Sequence, residues 1–320
     1  MPEDTFETPA ILALLHLGKQ LRARGYHFVT PTPLTHQRVN LRPENQFAHD
    51  LRGVFGWSRP FADAALESEI VEAMRQSQTL QPHPDGWISE VRWSTLNDDL
   101  YVHSRFPTQA SDAVFFGPDT YRFTRLLRHY LAHCQQPLRR IADIGCGAGP
   151  GAITAAKLCP GAQVFALDIN PSALRLTTVN ARLAGIYNLN VQSSDLLRDV
   201  PGQFDLIIAN PPYMLDPQQR IYRHGGGRHG AGLSLAIFDT AMERLAPGGT
   251  LLLYTGVAIF DGEDPFLNAI RLSLRDTGWD WEYEEIDPDV FGEELDKPDY
   301  VQAERIACVA LRLTYRPDLR

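Results

Sequence analysis

Nine residues constrain the fold of this chain more than any others: Asp143-Ile144-Gly145-Cys146-Gly147-Ala148-Gly149-Pro150-Gly151. A short apolar run over 140–144 enters them, and a helical pattern over 152–158 leaves them. Glycines in such a turn free the backbone to pass close to a ligand where a Cβ would collide. Strands and helices then alternate: strand 163–169, helix 171–184, strands 190–193 and 204–209, helix 233–245, strand 250–254, helix 265–277. Two last strands, 279–286 and 305–313, have no helix between them and are expected to pair antiparallel. This alternation predicts an α/β fold, a doubly wound, seven-stranded, mostly parallel sheet covered on both faces.

The first hundred residues read differently, as an accessory or substrate-recognition domain over 1–105 ahead of a catalytic domain over 106–320. Thr8-Pro9 caps a helix whose apolar face is Ile11, Leu14, Leu15 and Leu21 and which stops near Gly25. A proline-broken stretch, 31–43, precedes helical patterns over 44–55 and 60–76. Residues 87–103 hold β-formers on both sides of Asn97-Asp98-Asp99 and predict a hairpin. Mostly helical with a terminal hairpin, this region resembles a winged helix, either as a recognition element or as a structural cap on the second domain.

Asp168 ends the second strand of the alternating region, at about the spacing where a carboxylate meets both ribose hydroxyls of a bound nucleoside. Gly147, Gly149 and Ala152 also satisfy the dinucleotide pattern, which keeps NAD in view. Asp143 favours S-adenosylmethionine instead: two residues ahead of Gly145, it can reach an amino group and would repel a pyrophosphate.

The strand over 204–209 runs into Asn210-Pro211-Pro212-Tyr213. The carboxyl ends of strands form the ligand crevice of a doubly wound sheet. Pro211 and Pro212 stop the strand and offer carbonyls without N–H groups. With the Asn210 side-chain oxygen they make adjacent acceptors for the two hydrogens of a planar –NH₂ group, and Tyr213 offers a face for stacking. Such acceptors aim the delocalised lone pair of an amide or nucleobase amine at an electrophilic methyl, and no strong general base is needed.

Asp143 to Gly149, Asp168, Asp195 and Asn210 to Tyr213 together resemble the class I methyltransferases that modify planar nitrogens, among them the protein glutamine N5-methyltransferases of release factors and the N6-adenine and N2-guanine enzymes. The resemblance covers about 115–313, including Leu245-Ala246-Pro247-Gly248-Gly249-Thr250-Leu251, similar to that family's turn into its fifth strand. Phe116-Gly117-Pro118-Asp119-Thr120 is similar to a segment that caps the cofactor in the glutamine enzymes, with Gly117 in place of an arginine and Tyr121 in place of a glutamate. The resemblance implies S-adenosylmethionine as cofactor, held by Asp143, Gly145, Gly147, Gly149, Asp168, Ile169, Asp195, Leu196, Asp119, Thr120 and the edge of Asn210. Asp195 would meet the adenine amino group. The catalytic set would be Asn210, Pro211, Pro212 and Tyr213.

Charge bears on the methyl acceptor. The chain carries 39 acidic and 30 basic residues, a net of −9. Residues 261–299 alone hold 14 acidic and 3 basic, a local net of −11. Such a surface repels nucleic acid, although it can also be an ordinary solvated face. A protein glutamine is therefore the first choice of acceptor. The runner-up is an exocyclic amine of RNA or DNA, and the rival from another class is a non-catalytic cofactor-binding docking module. The segment 220–232, rich in glycine, arginine and histidine, reads either as a loop closing over substrate on glycine hinges or as a flexible connector. His224 and His229 lack a supporting cluster, so no metal is expected. Four cysteines without C-x-x-C spacing suggest a reducing cytoplasm. The acidic start Met1-Pro2-Glu3-Asp4 shows no export signal, and the longest apolar run, 251–260, is about half of the ~20 residues that a membrane helix needs.

Overall fold

A computed structural model describes residues 8–275 and 277–316; the acidic start at 1–4 lies outside them. The first helix, α1 (Pro9–Ala23), begins as expected, with the Thr8 hydroxyl accepting from Ile11 N and a proline at the first position. The proline-broken stretch departs from expectation. It contains α2 (Pro33–Asn40), because Pro33 sits where a missing N–H costs nothing and Thr32 caps the turn. The helix expected over 44–55 contracts to a single turn at 43–45 and α3 (Leu51–Phe55). The next contracts to a turn at 63–65 and α4 (Ser68–Gln76).

A hairpin absent from the sequence reading follows, β1 (Leu80–His83) and β2 (Gly86–Ser89), whose mostly half-buried residues carry no strong alternation. The expected hairpin is β3 (Val91–Leu96) and β4 (Asp99–Ser104), with Asn97 left-handed in the turn at φ 53°. It does not project as the wing of a winged helix. Trp93 and Val102 are fully buried, and the hairpin packs with Leu17 and Leu21 of α1 in one apolar cluster.

After α5 (Pro118–His133), also missing from the sequence reading, come β5 (Arg140–Ile144), α6 (Pro150–Leu158), β6 (Gln163–Asp168), α7 (Pro171–Leu183), β7 (Leu189–Ser193), β8 (Phe204–Ala209), α8 (Gly232–Arg244), β9 (Leu245–Ile259), α9 (Pro265–Ser273), β10 (Trp279–Asp287) and β11 (Arg305–Tyr315). The seven strands β5 to β11 form one sheet in the order β10-β11-β9-β8-β5-β6-β7. All neighbours are parallel except β11, which runs antiparallel to both β9 and β10. This is the expected doubly wound, mostly parallel α/β sheet. The chain moves outward from β5 through β6 to β7, then returns to place β8 on the other side of β5. That reversal opens a crevice beyond the carboxyl ends of β5 and β8, where Ile144 pairs with Ala209.

The N-terminal hairpin and the sheet's helices share a core. Ala173, Leu176, Val179 and Leu183 of α7 join the cluster around Trp93. Buried Asn180 on α7 stitches the hairpin to the glycine turn: its Oδ1 accepts from Val102 N (2.8 Å), and its Nδ2 donates to Val102 O (3.1 Å) and Ala148 O (2.8 Å). Among the described residues no helix is long and apolar enough to cross a membrane. Since Asn180→Ala leaves three buried backbone groups without these partners, we expect it to destabilise the protein by about 2–4 kcal/mol, read as a lower urea midpoint.

Candidate active site

The glycine turn is held from below and open above. Gly145 N and Cys146 N donate to Leu167 O at 2.8 and 2.9 Å, fixing the turn to the end of β6. Gly145 and Gly147 are left-handed, at φ 71° and 57°, and a Cβ at either would meet nothing within 4 Å. Both line a cavity of about 220 Å³ bounded also by Asp168–Asn170, Ser194–Leu196, Asn210–Met214 and the start of α5.

The acidic side chains expected for a cofactor all reach this cavity, in different electrostatic states. Asp143 is buried, and its Oδ2 accepts from Ala152 N at 2.7 Å. Burial pushes its pKa up to about 7 against the pull of that N–H, with nearby Asp168 adding to the rise. Asp168 accepts from Gly147 N on Oδ2 and from Asn170 N on Oδ1, both at 2.9 Å. Burial raises its pKa too, against the pull of the Asn170, Gly147 and Ile169 N–H groups, and the carboxylate keeps acceptor capacity for a ligand. Asp195 is exposed and ion-paired with Arg198. Beside these, Ile169 is 56% exposed, an apolar side chain left at the cavity rim. Leu196 also lines the cavity, with a left-handed backbone at φ 55°.

The Asn210-Pro211-Pro212-Tyr213 turn leaves β8 and forms the opposite wall. Among the described residues, no donor bonds the Asn210 side-chain oxygen or the Pro211 carbonyl. Tyr213 is anchored more firmly than its sequence suggests. Its hydroxyl donates to Asp119 Oδ2 at 2.7 Å, and its ring lies so close to Gly256 of β9 that a Cβ there would collide with it. Asp119, at the start of α5, is 5% exposed and accepts also from Tyr254 Oη (2.8 Å) and Arg122 Nη1 (3.2 Å), with Cys308 Sγ at 3.6 Å. Burial first, then Asp119, drives the Tyr213 and Tyr254 hydroxyl pKa values upward, so both stay neutral donors. Thr120 is buried next to Asp119, and its hydroxyl accepts from Gly117 N at 3.3 Å. Tyr254, Gly256 and Cys308 were missed from sequence because their partners lie on other strands and no local motif marks them.

The segment 220–232 is tied to its surroundings by ion pairs, hydrogen bonds and close glycine contacts. Arg220 grips buried Asp216 through Nη2 (2.6 Å) and Nε (2.8 Å), holding that carboxyl's pKa down to about 2. Arg223 pairs with Glu294 at 2.6 Å, and Tyr222 Oη donates to Thr108 O at 2.8 Å. The glycines serve close approach. A Cβ at Gly225 would stand 2.7 Å from Pro212 O, and one at Gly230 would strike the Tyr213 carbonyl. His224 Nδ1 accepts from Asp216 N at 3.2 Å.

Residues 111–258 match the model of the methyltransferase small domain. The release factor glutamine methyltransferase of Salmonella typhimurium is 34% identical over 270 residues, which cover 76% of this chain and 90% of that protein. The chain belongs to this methyltransferase family. The release factor glutamine methyltransferase of Deinococcus radiodurans is 33% identical over 202 residues, 58% of this chain and 66% of that protein. The chain spans about half the length, 49% and 48%, of two further relatives of the same name. A 4-amino-L-phenylalanine/4-methylamino-L-phenylalanine methyltransferase of Streptomyces pristinaespiralis is 30% identical over 158 residues, 43% of this chain and 52% of that protein.

The cofactor is S-adenosylmethionine, and the cavity suits it. The bare flanks of Gly145 and Gly147 leave room along the backbone, Asp168 has spare acceptors for a diol, and a buried carboxyl stands ready at Asp143. We expect Asp168→Ala to weaken S-adenosylhomocysteine binding by roughly a hundredfold or more in calorimetry, at about 1.5–3 kcal/mol for each of two charge-assisted bonds. The Asp143 carboxyl makes a second test. Its folded pKa lies above the unfolded value, so its contribution to stability is full below about pH 4 and is lost as pH rises through about 7. The stability of Asp143→Asn relative to the parent should therefore improve from pH 5 to pH 8, read by urea unfolding at both.

Proposed function

We propose that this protein transfers a methyl group from S-adenosylmethionine to the side-chain amide nitrogen of a glutamine in a protein substrate. The observation that carries the reading is the pair of unclaimed acceptors, the Asn210 side-chain oxygen and the Pro211 carbonyl, on the wall facing the glycine turn. When bound, the cofactor supplies an electrophilic methyl on its sulfonium. Asp168 takes the ribose hydroxyls, Asp143 the amino group and Asp195 the adenine amine, with Ile169 and Leu196 on the faces of the ring. Gly145, Gly147 and Gly149 let the backbone pass beneath, and Asp119 and Thr120 close the cavity from α5.

The two acceptors hold both amide hydrogens, fixing the nitrogen and turning its lone pair towards the cavity. Orientation is the main contribution, since an amide is a poor nucleophile and effective-molarity gains of about 7–11 kcal/mol are open to positioning alone. The nitrogen sheds one proton after transfer, so no basic side chain is required. Pro211 and Pro212 make the turn stiff, and the bond from Tyr213 to Asp119 fixes its far end while the ring borders the amide. Tyr121, standing where the release factor enzymes have a glutamate, accepts from Thr30 N at 3.1 Å and ties α5 to the N-terminal region. This supports residues 1–105 as an accessory domain that shapes the substrate entrance.

The acidic segment 261–299 supports a protein over a nucleic acid as substrate. The cysteines at 134, 146, 159 and 308 are all free thiols, which supports a reducing cytoplasm. The test is Asn210→Ala with labelled S-adenosylmethionine in cell lysate. The parent should label a protease-sensitive, nuclease-resistant band. The variant should lose turnover by about 10²-fold or more while its S-adenosylhomocysteine affinity stays within a few-fold. Nuclease-sensitive labelling, or near-normal turnover in the variant, would overturn the proposal.

A further inference from the structure

A second cavity, of about 240 Å³, adjoins the first. Pro33, Phe115, Tyr222 and Arg223 line both. Residues of the N-terminal region form one side of it and the Arg220–Arg223 segment the other. Its charge is unbalanced: Arg92, Arg220 and Arg223 line it, and no aspartate or glutamate does. Two of the three guanidinium groups are neutralised behind the wall, Arg220 by Asp216 and Arg223 by Glu294, each at 2.6 Å.

Arg92 is different. It is 2% exposed, and among the described residues no carboxylate pairs with it. Its Nε donates to Ser104 O at 3.1 Å and its Nη1 lies 3.4 Å from His36 Nδ1, while Nη2 has no protein acceptor among the described residues. His36 brings no negative charge, because burial, then Arg92 itself, pulls its pKa down to about 3 and leaves a neutral ring. The Phe106 ring, 6.0 Å from the guanidinium carbon, gives only a weak cation–π contact. Burial lowers the Arg92 pKa to about 10, so the side chain is still a cation at neutral pH. A buried cation without a counter-charge is costly, and this one borders an opening that could admit the counter-charge.

From the Arg92 guanidinium in this cavity we infer a carboxylate subsite for the methyl acceptor, one that selects substrates bearing an acidic group near the glutamine. The inference rests on the methyl-transfer reading of the adjoining cavity. A guanidinium donates to a carboxylate through short, charge-assisted bonds. The remaining walls mix apolar residues, Pro31, Phe106 and Phe115 among them, with the neutral polar Thr30, Thr108 and Gln109, a lining that suits a peptide. The carboxylate is either an acidic side chain or the peptide's own C-terminus.

Three glutamine peptides of equal length separate these cases by direct binding to the full-length protein in calorimetry. One has acidic flanks and an amidated end, one has amide flanks and an amidated end, and one has amide flanks and a free C-terminus. The parent should bind the first or the third about tenfold or more tighter than the second, and the one it prefers identifies the source. Arg92→Met should erase that preference while S-adenosylhomocysteine affinity stays within a few-fold, and Arg92→Lys should keep part of it. Equal affinity for all three peptides would overturn the inference, as would an RNA oligonucleotide or inorganic phosphate displacing the peptide at lower concentration. The comparison in the parent protein decides even where a variant does not fold. A carboxylate preference without methyl transfer counts against the methyl-transfer reading alone. Methyl transfer to glutamine without the preference counts against the subsite alone.

Discussion

The carboxylate of Asp119 is the contact on which the site depends. It is almost fully buried, a position a carboxylate tolerates only when hydrogen-bonded or paired. Its donors come from Tyr213 in the acceptor turn, Tyr254 in β9, Cys308 in β11 and Arg122 on its own helix. One group thus joins the start of α5 to three parts of the sheet. Its place in the first turn of α5 adds the favourable end of the helix dipole. Tyr213 cannot move without taking one of these donors from a buried carboxylate, and the turn that presents Asn210 inherits that rigidity.

The second constraint is close approach. The acceptor turn is pressed between Gly256 on one side and Gly225 and Gly230 on the other, each at a place where a Cβ would collide with the backbone or ring of 212–213. The segment 220–232 is tethered where Arg220 and Arg223 pair with buried Asp216 and Glu294. Glycines that resemble hinges in the sequence are thus small residues at a crowded contact. The N-terminal region completes the enclosure: Asn180 binds its hairpin to the glycine turn, and Tyr121 binds Thr30 to α5.

Local patterns were legible where one element carried its own signal. The glycine turn, the acidic strand ends at 143 and 168, the proline-stopped turn after β8 and the antiparallel final pair all stand where the sequence placed them. Misreadings cluster where local signals conflict or fade. Prolines at 31 to 43 suggested breakage, although Pro33 at a helix start favours α2. The β1–β2 hairpin is short and mostly half-buried on both faces, so it shows no alternation. The wing-like reading of β3–β4 failed because a hairpin's pattern says that one face is buried without saying against what.

By itself, the sequence determined the sheet, its crevice and the chemical character of the crevice, because strand periodicity, glycine spacing and a proline-stopped strand are all local properties. Only the tertiary structure decided which groups are spoken for and which are left over. Asp119 accepts from residues up to 189 positions away, and Arg92 finds no carboxylate partner among the described residues. Whether a polar group is satisfied depends on every neighbour in three dimensions, and no window along the chain contains them all.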